Sequence, residues 1–491
     1  MSKLLQQINK QALIAPSSIA LKSEESSLSY SRLIASINSV AAQLSMLQVR
    51  HIGIYLDNQF DWVVIQLAAM QTKIPVTPIP LFFSKQQVTH TLAKSEIDLL
   101  FVMNQSQVAG LSVTKVVLAD INAMCFKLHR ETKEATWPLD TALVTYTSGT
   151  TAAPKGVCIS YDLIDDVCLS LYEKTCDIGI SQHFCLLPLS IMLENIAGLF
   201  LVLYSGATAV LLPTQIRGLA GSQGLDLVAL SACLKQFAAQ SLILTPQLLK
   251  ALVYLRQQGQ NFDYLKFIAV GGGRVPSELL ASAQQYGLPV YEGYGLSECG
   301  SVVSLNTPNQ IKSGSVGKPL KHCKVSITRS GELCVEGASM LGYLGDTQSE
   351  VSAVSTGDLA AIDSDGFLHI QGRTKSVQIN SFGRNFNPEW IESEICAAPG
   401  IVHCAVFGDQ RPFITAVIEA LPFVEDAQLE QMVQQLNDQL PDYARINAWI
   451  RPAIPLVHQN NLITSNGRIR RAAIYTKYQS EIDNKYLTSE A

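Results

Sequence analysis

The chain has 491 residues, 47% of them hydrophobic and 16% charged, and a formal net charge of −5. Its length exceeds one ordinary core and predicts two or more domains, and the composition excludes a disordered chain. The mild charge gives no electrostatic footprint for a nucleic-acid partner, and no stretch supplies the roughly 18 uninterrupted apolar residues of a membrane span. The 11 cysteines form no CxxC pair, which argues against a zinc site or a disulfide framework. Cys158, Cys299 and Cys334 sit in or beside apolar runs and read as small buried hydrophobes. The start, MSKLLQQINKQALIAP, lacks an apolar core of signal-peptide length, so a reduced cytoplasmic protein is expected. Amphipathic Leu4, Leu5 and Ile8 leave a membrane-surface helix as a rival reading of this end.

In chain order, Ser31 to Leu47 carries Leu33, Ile34, Ile37, Val40, Ala41 and Leu44 at helical period, followed by the short apolar strand His51 to Leu56. A helix over Trp62 to Gln71 and an extended run over Ile74 to Ile79 repeat the scheme, which predicts layered α/β structure. From Ala142 to Leu305 a second α/β stretch holds the strands Ala142 to Tyr146, Thr208 to Leu212, Ser241 to Leu244 and Phe267 to Val270. Between Val316 and Gly372 short β runs are punctuated by glycine, and Asp363-Ser364-Asp365-Gly366 reads as a hairpin turn, being too short a ligand series for calcium.

A new unit begins near Lys375. Asn387-Pro388-Glu389 has the form of an N-cap, a first-turn proline and a dipole-matched acid, and Pro399-Gly400 ends the helix. The strands Ile401 to Phe407 and Phe413 to Ile418, with a polar helix over Asp426 to Leu440, complete a small α+β domain. The expected boundaries are 1–374 for the large domain and 375–491 for the small one.

The strongest local signal is Thr145-Tyr146-Thr147-Ser148-Gly149-Thr150-Thr151-Ala152-Ala153-Pro154-Lys155-Gly156-Val157. Hydroxyls, small residues and one lysine at the end of an apolar strand can surround an oxyanion with backbone N–H groups, hydroxyl donors and a cation. A Walker A loop is excluded, since its lysine follows the last glycine and precedes Ser or Thr. Downstream come Gly271-Gly272-Gly273 after a strand, Tyr291-Glu292-Gly293-Tyr294-Gly295-Leu296-Ser297-Glu298, Thr356-Gly357-Asp358 and Gly372-Arg373-Thr374-Lys375. Ser381-Phe382-Gly383-Arg384-Asn385 and Asn466-Gly467-Arg468 follow.

These motifs, in this order, resemble those of the adenylate-forming superfamily of acyl-CoA synthetases, luciferases and peptide adenylation domains, and the Gly383-Arg384-Asn385 form is similar to that of long-chain fatty acyl-CoA synthetases. The resemblance covers essentially the whole chain. It implies an α/β fold with a large N-terminal domain of layered α/β subdomains and a β-rich subdomain, and a small mobile α+β C-terminal domain. It implies ATP, Mg²⁺ and CoA as reactants, a small carboxylic acid as substrate, and an acyl carrier protein as the alternative acceptor.

Residue by residue, the resemblance gives the β- and γ-phosphates to Thr147, Ser148, Gly149, Thr150, Thr151 and Lys155, and the base to Gly271, Gly272, Gly273, Tyr294 and Gly295. Ser297 stands at a phosphate contact, Glu298 at the Mg²⁺ ligand, Asp358 at the ribose, and Arg373 at a second ribose or phosphate contact. Lys375 occupies the hinge, and Gly383 and Arg384 the loop of the thiol-transfer step. Arg468 stands where the family usually has a lysine that bridges the reacting carboxylate and the α-phosphate; its charge is kept while reach and planarity change. Ala152 stands at a usual glycine, and Ile191, in Leu187-Pro188-Leu189-Ser190-Ile191, replaces a histidine of the fatty-acid enzymes. These departures motivate a second reading, a nucleotide-binding relative with weak catalysis; an aryl acid is the alternative substrate.

Overall fold

A computed structural model describes residues 2–129, 137–147, 155–219, 225–346, 352–374, 378–381, 384–459, 461–464 and 467–487. Two large sheets make the frame. In one, Ile52–Tyr55 pairs in parallel with both Val76–Pro78 and Leu99–Val102, and Thr141–Thr147 joins beside Val76 and turns back antiparallel as Lys155–Ser160. In the other, Gln182–Phe184, Ser241–Leu244, Phe267–Val270 and Val290–Tyr294 run in parallel, so the ends of the last three strands open onto one edge. Parallel strands need helical crossovers, and Pro246–Gln257 and Ser277–Gln285 supply two of them. The carboxyl ends of such strands are where open α/β sheets bind ligands.

The helix period read from Ser31 to Leu47 forms Tyr30–Met46, which buries Leu33, Ile37, Val40, Ala41 and Leu44 and is capped by Ser29 on the Arg32 N–H. A four-stranded antiparallel sheet of Lys324–Ile327, Glu332–Glu336, Ala353–Ile362 and Leu368–Arg373 follows. Its last turn is the expected one: the Asp363 carboxylate accepts the N–H groups of Asp365 and Phe367 at 2.9 and 3.0 Å. The small unit packs Pro388–Ala397, Asp426–Gln439 and Arg471–Leu487 on the sheet Ile401–Phe407, Ile414–Ala420 and Ile446–Ile450. Asn387 caps its first helix by accepting the Glu389 N–H at 2.9 Å. The mixed α/β fold, with a large N-terminal and a smaller C-terminal part, is the one expected.

One local reading changes. Leu4, Leu5 and Ile8 are wholly buried on the helix Lys3–Ile14, and the Asp165 carboxylate accepts the N–H groups of Lys3 and Leu4 at 2.5 and 2.9 Å. The face of Leu4, Leu5 and Ile8 is therefore spent on the core and is not offered to a membrane surface. The apolar stretch Leu193–Phe200 forms a π-helix that continues as the α-helix Leu201–Ser205. The wide turn accompanies a fully buried Glu194, whose carboxylate meets His183 Nε2 at 2.8 Å and the Leu187 N–H at 2.9 Å. Among the described residues no helix is long and apolar enough to cross a membrane.

The apolar clusters keep to one part or the other. Three of them lie within residues 4–370, and the other two are built from residues 386–486 alone. Among the described residues, no apolar cluster spans both parts.

Candidate active site

One continuous cleft of about 3890 Å³ runs along the strand ends of the second large sheet and on between the two parts of the molecule. That exceeds what one small ligand fills and leaves room for a nucleotide and a second reactant together. At its floor the strand Phe267–Val270 ends in Gly271, whose N–H bonds the Leu244 carbonyl at 3.1 Å. Gly272 then takes φ +74°, a left-handed turn that glycine adopts freely. Gly295 is required by space: a Cβ there would stand 1.7 Å from the Ser301 carbonyl oxygen.

Tyr294 closes the adjoining strand. Its hydroxyl donates to Asp358 Oδ2 at 2.5 Å, and Arg373 Nε donates to Asp358 Oδ1 at 3.1 Å. The strands explain the second contact, for Asp358 and Arg373 are direct cross-strand partners. Burial raises the Asp358 pKa, while the Tyr294 hydroxyl and the Arg373 charge oppose the rise; burial and then the Asp358 charge push the Tyr294 phenol up. A carboxylate so held presents remaining lone pairs to further donors such as a diol.

Glu298 follows on a short turn, Ser297–Cys299, and accepts from the Tyr343 hydroxyl at 3.1 Å. Tyr343 is paired beside Val157, and the Lys155 ammonium lies 5.0 Å from the centre of its ring. The ring thus joins the lysine of the first motif to the carboxylate of the third. Burial, then the Glu298 charge, push the Tyr343 phenol up to about 12. Sequence reading missed Tyr343 because Gly342-Tyr343 has no distinctive neighbours; its site emerges only from the strand pairing.

Arg468 comes from the small unit. A turn closed by the Gly467 N–H on the Thr464 carbonyl, with the Arg468 N–H on Thr464 Oγ1 at 2.9 Å, projects the guanidinium across the cleft. There its Nη2 donates to the carbonyl of Gly272. The side chain keeps surface in solvent, yet desolvation in the cleft, followed by the Arg373 cation, lowers its pKa, and Glu389 works in the other direction.

Of the residues read from sequence, Gly271, Gly272, Gly273, Tyr294, Gly295, Ser297, Glu298, Asp358, Arg373 and Arg468 line this cleft together. Lys155 does not line it; it is exposed and reaches it through the Tyr343 ring. Arg384 is not brought there either. It sits exposed on a turn closed by two hydrogen bonds with Asn380, each at 3.0 Å, which holds it away from the cleft in this arrangement. Ser148, Gly149, Thr150, Thr151, Ala152, Lys375 and Gly383 lie outside the described residues, as does the side chain of Thr147, whose backbone pairs with Lys155.

Two further charged residues line the cleft unannounced by any motif role. Desolvation pushes the Glu292 carboxyl up to about 7, with Arg274 and the Val275 N–H opposing it. Desolvation likewise lowers the Arg274 pKa. Above them, Ile191 stands on a wall held from behind by buried side chains. Asn58 donates to the carbonyls of Cys185 and Leu187 at 3.1 and 2.9 Å and accepts the Leu189 N–H at 2.8 Å. Arg217, paired with Asp57 at 2.9 Å, donates to the Leu186 carbonyl.

Comparison with known proteins gives two family matches: residues 8–344 fit the model of the AMP-binding enzyme, and residues 376–490 that of the AMP-binding enzyme C-terminal domain. The long-chain-fatty-acid–CoA ligase FadD15 of Mycobacterium bovis is 33% identical over 221 residues, a match that spans 44% of this chain and 37% of the relative's length. The 2-succinylbenzoate–CoA ligase of Bacillus subtilis is 26% identical over 425 residues, 81% of this chain and 84% of the relative. Among solved structures, the anthranilate CoA ligase AuaEII in complex with anthranoyl-AMP superposes with a TM-score of 0.78 at 17% identity, covering 97% of each chain. The O-succinylbenzoate coenzyme A synthetase of Bacillus subtilis in complex with AMP gives 0.74 at 21% identity, over 95% of this chain and 97% of the other.

Proposed function

The chain belongs to the AMP-binding enzyme family, and from that membership we propose that it is an AMP-forming acid–thiol ligase: with ATP it converts a carboxylic acid to acyl-AMP and pyrophosphate, then transfers the acyl group to the thiol of CoA. The observation that carries the reading is the meeting of Tyr294, Asp358 and Arg373 with the Gly271–Gly273 turn and Arg468 in one cleft. An aromatic face, an acceptor pair beside a cation, open backbone and a second cation are what an adenosine, its ribose and an α-phosphate require. We take residues 1–374 as the nucleotide domain and 375–491 as the lid that delivers Arg468.

In the first step a carboxylate oxygen attacks the α-phosphorus, a new P–O bond forms, and the bond to the β-phosphate oxygen breaks with its electron pair leaving on pyrophosphate. The protein's part is positioning and charge neutralisation. Tyr294 stacks the base, Asp358 accepts from the ribose, and Ser297 meets a phosphate oxygen. Lys155 and the hydroxyls of residues 147–151 hold the β- and γ-phosphates. Glu298 fits a hard cation: it is a carboxylate with one oxygen on Tyr343, and it would hold Mg²⁺, which supplies charge neutralisation to the phosphates. Arg468 meets the negative charge that builds between carboxylate and α-phosphate. In the second step the thiol sulfur attacks the acyl carbonyl and AMP leaves; Lys375, as hinge, and the loop of Gly383 and Arg384 are assigned to that step. An acyl carrier protein is the alternative acceptor.

For the acid we favour one with an apolar body and a single carboxylate, a fatty acid first. The wall at Leu187, Ile191, Met192 and Leu193 is apolar, and each buried CH₂ adds about 0.8 kcal/mol. The match to a long-chain-fatty-acid ligase supports this choice, and the longer match to a 2-succinylbenzoate ligase supports an aryl acid as the second reading. Pyrophosphate release with panels of fatty and aryl acids, with and without CoA, decides between them. ATP binding without release for any acid would instead favour the weakly catalytic relative. On our reading Arg468→Ala lowers release about 100-fold or more, the effect of removing one preorganised charge donor, and Arg468→Lys retains more activity than alanine. Full activity in Arg468→Ala would remove that residue from the mechanism.

A further inference from the structure

No apolar cluster of the described residues spans both parts, and several polar contacts link the small unit to the large part. Among those contacts one stands out in valence. Lys250, on the helix Pro246–Gln257 of the large part, donates from Nζ to the carbonyls of Cys396, Ala398 and Ile401 at 2.7, 2.9 and 3.2 Å. An ammonium has three donors, so each has an acceptor. The acceptors lie at and beyond the C-terminal end of Pro388–Ala397, where helix carbonyls lack intrahelical partners and the dipole presents negative charge. A lysine of one part thereby caps a helix of the other. Other cross-contacts include Asn387 Nδ2 to the Gln371 carbonyl at 3.0 Å, Gln439 Nε2 to Glu278 at 2.9 Å, Glu394 facing Arg274 and the Ser277 N–H, and Arg468 itself to the Gly272 carbonyl. Desolvation lowers the Lys250 pKa, consistent with an ammonium enclosed by the interface.

We propose that Lys250 is a positioning residue that fixes the small unit in the pose that delivers Arg468 to the glycine turn, and so acts on acid activation through Arg468 without touching a reactant. The proposal rests on the function given above. Losing the cap frees the small unit to leave this pose, since separate cores and a polar interface oppose the departure weakly. A residue that only stabilised its own helix would cost the same whether or not Arg468 were present; a residue acting through Arg468 would not.

The test is single-turnover pyrophosphate release by the full-length chain carrying Lys250→Met, alone and combined with Arg468→Ala. Lys250→Gln, one bond shorter but keeping an N–H donor group, guards against a methionine variant that fails to fold. We expect Lys250→Met to slow release at least tenfold, Lys250→Gln to fall between it and the wild type, and Lys250→Met to add less than twofold in the Arg468→Ala background. Energy transfer between dyes placed at the exposed positions Tyr254 and Phe423, one on each part, gives a readout free of activity. Its distance distribution broadens in both Lys250 variants. Equal losses in the two backgrounds, or no loss, would overturn the proposal, as would an unchanged distribution. Should the wild type release no pyrophosphate with any acid, the functional reading fails by itself, and the dye pair alone decides whether Lys250 holds the pose.

Discussion

Asp358 illustrates how one side chain is made both stable and available. Buried between Tyr294 and Arg373, it has one protein donor on each oxygen, and a bound ribose would add to these contacts without displacing them. Asp358→Asn removes the charge and turns one oxygen into a donor facing Arg373, so ATP affinity falls. A hydrogen bond to a charged group contributes about 1.5–3 kcal/mol, which predicts a rise of about 10- to 150-fold in the KM for ATP, read from initial rates. Glu292 makes a different kind of prediction. Its carboxyl, ordinarily at 4.5, is pushed up to about 7 by desolvation. Between those pH values the folded chain keeps a proton that the unfolded chain has released, so this residue's stability contribution is present below 4.5 and is lost as pH rises to 7. The shift corresponds to about 3 kcal/mol. Glu292→Gln has no such titration, and urea unfolding should show the variant gaining about 3 kcal/mol on the wild type between pH 4.5 and 8. A constant difference across that range would contradict a desolvated, titrating Glu292.

At the scale of elements, the π-helix Leu193–Phe200 shows where pattern reading stopped and why. Its residues are apolar enough to be read as a buried run, but the wide turn goes with a contact eleven residues back in sequence, Glu194 to His183. No local periodicity encodes that pairing. The same holds for Tyr343, joined to Lys155 and Glu298 by strand pairing, and for Glu292, whose environment comes from Arg274 and the cleft. By contrast the cap at Asn387, the Asp363 turn and the strand end Val270 were legible, since each rests on residues within a few positions of one another. The motif order was legible as a resemblance, and it brought most of the site's residues together in advance of any coordinates. Gly198 supplies the test of the π-helix. A Cβ there would lie 2.2 Å from Glu194 Oε1 and 2.9 Å from His183 Nε2, atoms held in buried hydrogen bonds. Gly198→Ala is expected to cost about 1–3 kcal/mol, the usual effect of overpacking, in denaturant unfolding. A neutral substitution would mean that Glu194 leaves its pocket freely.

For the whole molecule, the division of the cores governs how it unfolds and how it answers to ligand. The clusters of residues 4–370 and those of residues 386–486 share no member, and the cross-contacts of Lys250, Gln439 and Arg468 are hydrogen bonds at an interface open to the cleft. Units with separate apolar cores and a polar boundary unfold with separate cooperativity. Calorimetry should therefore resolve two transitions, with a calorimetric enthalpy above the van't Hoff value. The residues we assign to base and ribose, Tyr294, Asp358 and the Gly271–Gly273 turn, all belong to the larger core's part, so on that assignment ATP binds chiefly to that unit. At 100 times its Kd a ligand adds about 2.7 kcal/mol to the state that binds it. That transition should move up by several degrees with ATP, while the small unit's transition moves only as far as the contacts of Arg468 and Lys250 couple it. In Lys250→Met that coupling is weakened, and the small unit's transition should become insensitive to ATP. A single two-state transition, shifted as one by nucleotide in both proteins, would show that the polar interface binds the two cores into one cooperative unit.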